Sequence, residues 1–208
     1  MADFSLQGMY DWAVRWCNKP HVEYHQGVKY RNMCEIDGIT YFDCSSFVFF
    51  AIWLGGGYDV AQLGFPNDLD GYRNNPGVDG HNAWWTGSMP KCLPLIGFKR
   101  YNPIEVLWEP GDILHWHNSR AGQGHTEICY AKPRITMGAH NRSSRTSADM
   151  VSINTWNSSS DTYENLFRYT GEVQVTPYEP PSDVLYSNAG YNEKRKKFWI
   201  YMKPYWKI

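Results

Sequence analysis

Residues 41–54 read YFDCSSFVFFAIWL, and three glycines, Gly55 to Gly57, follow them. From Phe47 onward the side chains are apolar on every side, which is typical of a helix buried in a core. Asp43 is a good N-cap for such a helix, and the glycines are typical of its end. The stretch therefore predicts a buried helix that begins at Cys44 and holds this cysteine in its first turn.

A cysteine in the first turn of a helix is well placed for chemistry. Free backbone N–H groups and the positive end of the helix dipole favour its thiolate form. The same N–H groups can stabilise an oxyanion on an attacked carbonyl group. Cys44 is therefore a candidate nucleophile, although a cysteine in an apolar helix is more commonly a buried structural residue.

The second half of the chain predicts antiparallel strands. Four runs alternate with turns that carry Gly, Pro or Asn, as in a meander: ILHWH from Ile113, HTEICYA from His125, RITMGAH from Arg134 and MVSINTW from Met150. Earlier in the chain, helical spacing of apolar residues predicts an amphipathic helix over 5–17. Residues 20–42 are loop or short strands, and 58–96 read as a long loop with a short helix. The fold class is therefore α+β.

A thiolate nucleophile needs a base, normally a histidine, and that base needs an orienting polar group. Alternation along a strand puts His125 and Glu127 on one face, and Gly138 and His140 on one face of the next strand. If the two strands are adjacent, His140 stands near His125 and holds its ring, and Gly138 leaves room for the contact. The pattern thus predicts a triad of Cys44, His125 and His140, unless these histidines are ordinary surface or core residues.

Composition and charge narrow the classes of function. The chain has 208 residues, of which 16% are aromatic, and its formal net charge is -1. These values predict a real hydrophobic core and give no general basic surface for nucleic acid. No apolar run is long enough to span a membrane, and the N-terminal residues do not read as a secretory signal. The five cysteines include no CxxC pair, so we expect a reduced protein that is made inside a cell.

Three motifs, in this order, resemble those of the NlpC/P60 and CHAP cysteine peptidases. Residues 41–48 (YFDCSSFV) resemble their nucleophile motif, Pro110-Gly111-Asp112 their strand entry, and Gly124-His125-Thr126 the strand with their catalytic histidine. The likeness covers roughly residues 5–157 and is closest to phage peptidoglycan amidases and endopeptidases. It implies a papain-like domain over 1–170, in which the helix of Cys44 packs on a small antiparallel sheet. Residues 171–208 then form a Pro-containing linker and an aromatic, basic strand or docking tail.

The resemblance also implies an activity, which is hydrolysis of an amide in the peptidoglycan stem peptide or at the muramoyl–alanine link, without a cofactor. Tyr24 matches a family tyrosine whose hydroxyl lies near the sulfur, which implies an oxyanion or positioning role, unless Tyr24 is an ordinary packed tyrosine. Asp43 has a supporting role. Many relatives carry the orienting group where this chain has Met137, so Asn141 is an alternative to His140.

Trp84 and Trp85 are expected to line the side of the substrate groove, or else to anchor a long loop to the core. The expected partners are peptidoglycan and, for a virion-borne enzyme, other tail proteins, with no nucleic acid and no membrane. Such a phage-type enzyme would be made in the host cytoplasm and would reach the wall after lysis or on the virion.

Two other classes of function remain open from the sequence. His115 with His117, and His125 with Cys129, share strand faces as metal ligands do, but no ligand set with known spacing emerges. Asp68, Asp70 and Asp79 lack the EF-hand spacing for calcium. The other alternative is a non-catalytic wall-binding or tail structural protein that retains the fold.

Overall fold

The computed structural model describes residues 4–27, 33–58, 86–118, 120–131, 135–140, 150–155 and 163–171. In these residues the protein is a mixed α+β fold with three helices and two sheets, as the α+β prediction requires. Trp84, Trp85, Asn141 and residues 172–208 lie outside the described residues, and so do Asp68, Asp70 and Asp79.

Helix α1 (Leu6–Cys17) agrees with the amphipathic helix predicted over 5–17. Its N-cap is Ser5, whose hydroxyl oxygen accepts a hydrogen bond from the Gly8 N–H at 2.9 Å. The apolar face of the helix is buried in the core and consists of Met9, Trp12, Ala13 and Trp16.

Helix α2 (Cys44–Phe50) begins at the predicted residue, and all seven of its residues are buried. The sequence predicted one continuous helix as far as the glycines. The structure instead continues α2 as a π-helical turn over Ala51–Gly55. A third helix, α3 (Met89–Leu95), lies within 58–96, where a long loop with a short helix was predicted.

The first sheet is small and lies in the region predicted as loop or short strands. It consists of β1 (Val22–Tyr24), β2 (Cys34–Ile36) and β3 (Ile39–Phe42), in the spatial order β1-β3-β2. β1 runs parallel to β3 and β2 runs antiparallel to it. Because β3 ends at Phe42, this sheet leads the chain directly into the N-cap of α2.

The second sheet has six strands in the order β4-β9-β5-β6-β7-β8, and each adjacent pair is antiparallel. The strands are β4 (Phe98–Tyr101), β5 (Ile113–Asn118), β6 (Gln123–Ala131), β7 (Ile135–Ala139), β8 (Val151–Thr155) and β9 (Asn165–Tyr169). Strands β5 to β8 form the predicted meander. The sequence did not indicate that β9 inserts between β4 and β5.

Alternate residues of the large sheet belong to two hydrophobic clusters. The larger cluster joins the helices to the sheet residues Ile113, Ile128, Met137 and Phe167. The smaller cluster consists of Trp108, Leu114, Cys129, Tyr163 and Leu166. Because neighbouring strand residues point to opposite faces, both faces of the sheet carry packed side chains. Within the described part of the chain, no helix has the length and apolar character needed to cross a membrane.

Candidate active site

A capping box fixes Cys44 at the start of α2. The Asp43 carboxylate accepts a hydrogen bond from the Ser46 N–H at 2.7 Å, and the Ser46 hydroxyl accepts one from the Asp43 N–H at 2.9 Å. The first intrahelical donor is Phe47, whose N–H reaches the Asp43 carbonyl at 3.0 Å. The N–H groups of Cys44 and Ser45 therefore precede the helical hydrogen bonds and are oriented as oxyanion donors are.

His125 lies on β6, which packs against α2, and its ring interacts with the Cys44 side chain. Its side chain is 17% exposed, whereas Cys44 is 4% exposed. Burial disfavours a charged ring, but hydrogen bonds to Cys44 and Glu127 and their negative charges outweigh it and raise the pKa of His125 well above its usual range. The structure thus brings together the predicted nucleophile and the predicted base, in an environment that favours an imidazolium.

Glu127 stands between two histidines. Its Oε1 lies 3.4 Å from Nε2 of His125 and 2.9 Å from Nδ1 of His140. Its Oε2 accepts a hydrogen bond from the Tyr163 hydroxyl. Burial alone would raise the pKa of Glu127, but the two histidines and the Tyr163 hydrogen bond hold it well below its usual range. Glu127 is therefore a buried carboxylate that is ionised and fully engaged.

Both ring nitrogens of His140 have a polar partner, and these partners orient the ring. Its Nε2 lies 2.8 Å from the side-chain nitrogen of Asn154, and the same nitrogen donates to the backbone carbonyl and the hydroxyl of Ser152. An amide nitrogen only donates, so Nε2 is the acceptor and the ring proton sits on Nδ1, facing Glu127. The predicted contact between His140 and His125 thus runs through Glu127, with the two ring centroids 5.5 Å apart.

Gly138 provides the space that this arrangement needs. A Cβ atom at this position would lie 3.1 Å from Cγ of Glu127, closer than ordinary van der Waals contact. The pairing of Met137 with Ile128 explains the proximity, because it places Gly138 opposite Glu127 on the neighbouring strand. The prediction that Gly138 leaves room thus applies to Glu127, the residue between the two histidines.

Tyr24 lies at the end of β1, in register with Phe42 of β3. The backbone N–H of the next residue, His25, donates to the Phe42 carbonyl at 2.9 Å and continues this pairing. Tyr24 is therefore placed beside the residue that precedes Asp43 and Cys44. It packs against the larger cluster and is only partly buried.

Burial suppresses the ionisation of two of the other cysteines. All five cysteines are free thiols. Burial raises the pKa of Cys17 to about 12 and that of Cys92 to about 11, so both stay protonated at neutral pH. Cys129 is fully buried in the smaller cluster.

The pairs of metal ligands considered from the sequence do not form a site. Nε2 of His115 is 2.6 Å from the Thr86 carbonyl, and its Nδ1 is 2.9 Å from the Asn165 amide nitrogen, so both ring nitrogens are engaged. His117 is 3.2 Å from the Thr86 hydroxyl. Cys129 belongs to the smaller cluster, with Leu114 and Leu166, and is not in the group of three metal-ligand types that the described residues form.

Asp112 of the Pro110-Gly111-Asp112 turn has a structural role. It is 2% exposed, and its two carboxylate oxygens accept from Nε and Nη2 of Arg168 at 2.8 and 2.7 Å. The Glu109 N–H donates to the same carboxylate at 2.7 Å. The turn therefore ties the start of β5 to β9.

No protein-family model matches the chain. No curated protein and no solved structure matches it at a significant level. The resemblance to the NlpC/P60 and CHAP peptidases therefore rests on the three motifs alone, and the geometry around Cys44 is an independent observation.

Sequence reasoning did not assign roles to Glu127, Asn154 and Tyr163. The sequence carried a signal for Glu127, because strand alternation puts it on the same face as His125. Tyr163 reaches the site from 36 residues beyond Glu127, and Asn154 from the next strand, β8, and no local pattern marks either of them.

Proposed function

We propose that the protein is a cysteine hydrolase that cleaves an amide bond of peptidoglycan, with Cys44 as nucleophile and His125 as base. The observation that carries the proposal is the series of neighbouring side chains Cys44, His125, Glu127 and His140, in which Oε1 of Glu127 lies 3.4 Å from Nε2 of His125 and 2.9 Å from Nδ1 of His140. A nucleophile, a base and an orienting group in contact are the elements of a thiol hydrolase site. The capped N-terminus of α2 adds backbone donors beside the sulfur.

In the first step, His125 holds the proton and Cys44 is a thiolate. Because Nε2 of His125 faces Glu127, we assign the proton exchanged with the sulfur to Nδ1. The sulfur attacks the amide carbonyl carbon, and the displaced electron pair forms an oxyanion that the Cys44 N–H stabilises. The Tyr24 hydroxyl is a second candidate donor. Collapse of this intermediate breaks the C–N bond while His125 protonates the leaving amine, and a thioester remains.

In the second step, water attacks the thioester and gives its proton to neutral His125. The C–S bond breaks, the acid product leaves, and the thiolate–imidazolium pair is restored. Whenever His125 is protonated, the Glu127 carboxylate stabilises its positive charge, and His140 holds that carboxylate in place. No step requires a cofactor.

Peptidoglycan is proposed as the substrate because of the three motifs that resemble phage amidases and endopeptidases. On the same ground we propose a papain-like fold for the domain and a phage-type enzyme that is released at lysis or carried on the virion. The bond is either within the stem peptide or at the muramoyl–alanine link. Both are amides, so the mechanism is the same for each.

The test is digestion of purified peptidoglycan, with mass spectrometry of the released fragments. Wild type should release fragments, Cys44→Ala should release none, and Cys34→Ala should behave as wild type because Cys34 lies on β2, outside the site. New amino and carboxyl termini will distinguish an amidase from an endopeptidase. If folded, reduced wild type leaves walls from several hosts intact, the hydrolase proposal fails and a binding or structural role replaces it.

A further inference from the structure

His125, Glu127 and His140 form a compact set of metal-ligand types. One ligand atom from each, two imidazole nitrogens and a carboxylate oxygen, lies within 4.8 Å of the others. Two ligands bonded to a tetrahedral zinc ion are about 3.4 Å apart. The 3.4 Å between Nε2 of His125 and Oε1 of Glu127 already has this value. The 2.9 Å between Oε1 of Glu127 and Nδ1 of His140 is a hydrogen bond that needs to open by about 0.5 Å for such an ion.

The types of ligand atom define the class of metal. Two imidazoles and one carboxylate suit zinc and similar divalent transition metals, whereas calcium and magnesium prefer oxygen ligands alone. A set of three protein ligands leaves a fourth tetrahedral position for water. Of the three side chains, His125 is the most exposed, at 17%.

Neighbouring side chains form hydrogen bonds with two of the three residues, as outer-shell partners do with metal ligands in known sites. The Tyr163 hydroxyl donates to the other oxygen of Glu127, and Asn154 contacts the other nitrogen of His140. Such partners orient ligands and tune their affinity for the metal. On metal binding, the proton of neutral His140 would move, through solvent, from Nδ1 to Nε2, which would then carry the N–H. Turning the Asn154 amide over would then present its oxygen to that N–H.

We propose that His125, Glu127 and His140 bind one Zn²⁺ ion, and that its binding switches the hydrolase off. The ion binds Oε1 of Glu127 and Nε2 of His125, which otherwise interact with each other. His125 therefore loses its orienting carboxylate. It also loses its positive charge, because the Nε2 proton leaves to solvent when the metal binds. The inhibition rests on the proposed function. The metal site itself does not, because it depends only on the positions of the three side chains.

Binding is measured by titrating ZnCl₂ into the full chain by calorimetry, after removal of metals with EDTA and in a phosphine reductant. Wild type should bind one ion per chain. His140→Gln removes a ligand and should weaken binding more than about 10-fold, and Asn154→Ala should weaken it by about 10- to 100-fold. His25→Gln is the matched control, because His25 is exposed and outside the cluster, and it should bind as wild type does. If His140→Gln does not fold, Asn154→Ala and wild type still decide the outcome.

Absence of one-to-one binding by wild type would overturn the site, and so would unchanged affinity in both Asn154→Ala and a folded His140→Gln. Peptidoglycan digestion then tests the inhibition: one equivalent of Zn²⁺ should stop the metal-free enzyme, and EDTA should restore it. Metal-free protein that digests walls but binds no zinc would refute the site and leave the hydrolase standing. Protein that binds zinc as proposed but never digests walls would refute the hydrolase and leave the site standing. Activation by zinc would overturn both the inhibition and the cofactor-free mechanism.

Discussion

Nδ1 of His140, the residue directly after β7, lies 2.9 Å from Oε1 of Glu127 on β6. This contact crosses from one strand to its neighbour and fixes the carboxylate that faces His125. The array around Cys44 is therefore held by the pairing of two strands rather than by a single loop. The role of His140 in the proposed mechanism is to position Glu127, while His125 alone exchanges protons with the substrate.

Replacing Glu127 by Gln removes the negative charge beside His125 while keeping the shape of the side chain. The pKa of His125 should fall, because this charge helps to raise it. The imidazolium then loses its proton at lower pH, so the alkaline limb of the pH–activity profile should move to lower pH. We expect kcat/KM for wall digestion to fall by about 100-fold.

The measurement is the pH profile of peptidoglycan digestion together with the rate of iodoacetamide reaction at Cys44. Glu105→Gln is the matched control, because Glu105 pairs with Asn102 at the surface. An unchanged alkaline limb in a folded Glu127→Gln protein would show that the carboxylate does not act through His125.

Asp43→Ala should reduce both stability and activity. Loss of an N-cap costs about 1 kcal/mol, and here the Asp43 carboxylate also holds the Ser45 hydroxyl at 3.1 Å. Because the cap sets the first turn of α2, its loss also displaces Cys44. Ser5→Ala removes the N-cap of α1 and should cost a similar free energy of unfolding without changing activity. Urea unfolding and wall digestion of the two variants separate the effects, and equal activity losses would contradict a specific role for the Asp43 cap.

We expect the free energy of unfolding to fall on acidification because His115 is buried in its neutral form. Its Nε2–H donates to the Thr86 carbonyl and its Nδ1 accepts from Asn165, while Arg100 holds the oxygen of the same amide at 2.5 Å. A second proton has no acceptor in this arrangement. Burial is the main cause that lowers the pKa of His115 from 6.5 to about 4, and the charges of His117 and Arg100 contribute.

The unfolded chain therefore takes up this proton near pH 6.5, whereas the folded chain does so only near pH 4. The stabilisation is present above pH 6.5, and its loss should amount to about 3 kcal/mol as the pH falls from 6.5 to 4. Urea unfolding across this range should show a flatter pH dependence for His115→Gln than for wild type, with His25→Gln as the control. Parallel curves for wild type and His115→Gln would refute the assignment.

Arg168→Met should destabilise the fold by roughly 2–3 kcal/mol, because it leaves the buried Asp112 carboxylate without its cation; this value allows for the partial exposure of Arg168. Arg168→Lys keeps the charge but not the paired geometry and should cost less. Chemical unfolding of both variants is the measurement. A loss for Lys as large as that for Met would indicate that the geometry of the pair, rather than its charge, stabilises the turn.

The local patterns of the sequence predicted the elements that bear Cys44, His125 and His140. Asp43 and the apolar run after Ser46 marked the start of α2, and alternation marked the strands of the meander. The sequence did not predict the end of α2, because propensity does not distinguish an α-helical turn from the π-helical turn at Ala51–Gly55. It also did not predict the place of β9, which depends on pairing with β4 and β5 rather than on any local signal.

In the candidate site too, local patterns predicted some residues, whereas contacts between distant residues were not predictable from the sequence. Cys44 and His125 were predicted from residue type and position; the structure places the two side chains together, and their catalytic roles stay a prediction. Strand alternation placed Glu127 on the same face as His125. Its role, however, depends on its distances to the rings of His125 and His140, and strand alternation does not predict these distances. Tyr163 is 36 residues away from Glu127 along the chain, and only the folded sheet brings the two together.

The position of β9 has a consequence for synthesis. This strand lies between β4 and β5, although it is made more than 60 residues after β4 begins, and Tyr163 lies just before it. Contacts of such sequence separation form late, because a long loop has to close first. On the ribosome, Cys44, His125 and Glu127 will therefore have emerged well before the tyrosine that secures the carboxylate and the strand that completes the sheet. A nascent chain of this protein should remain inactive until Tyr169 has left the exit tunnel.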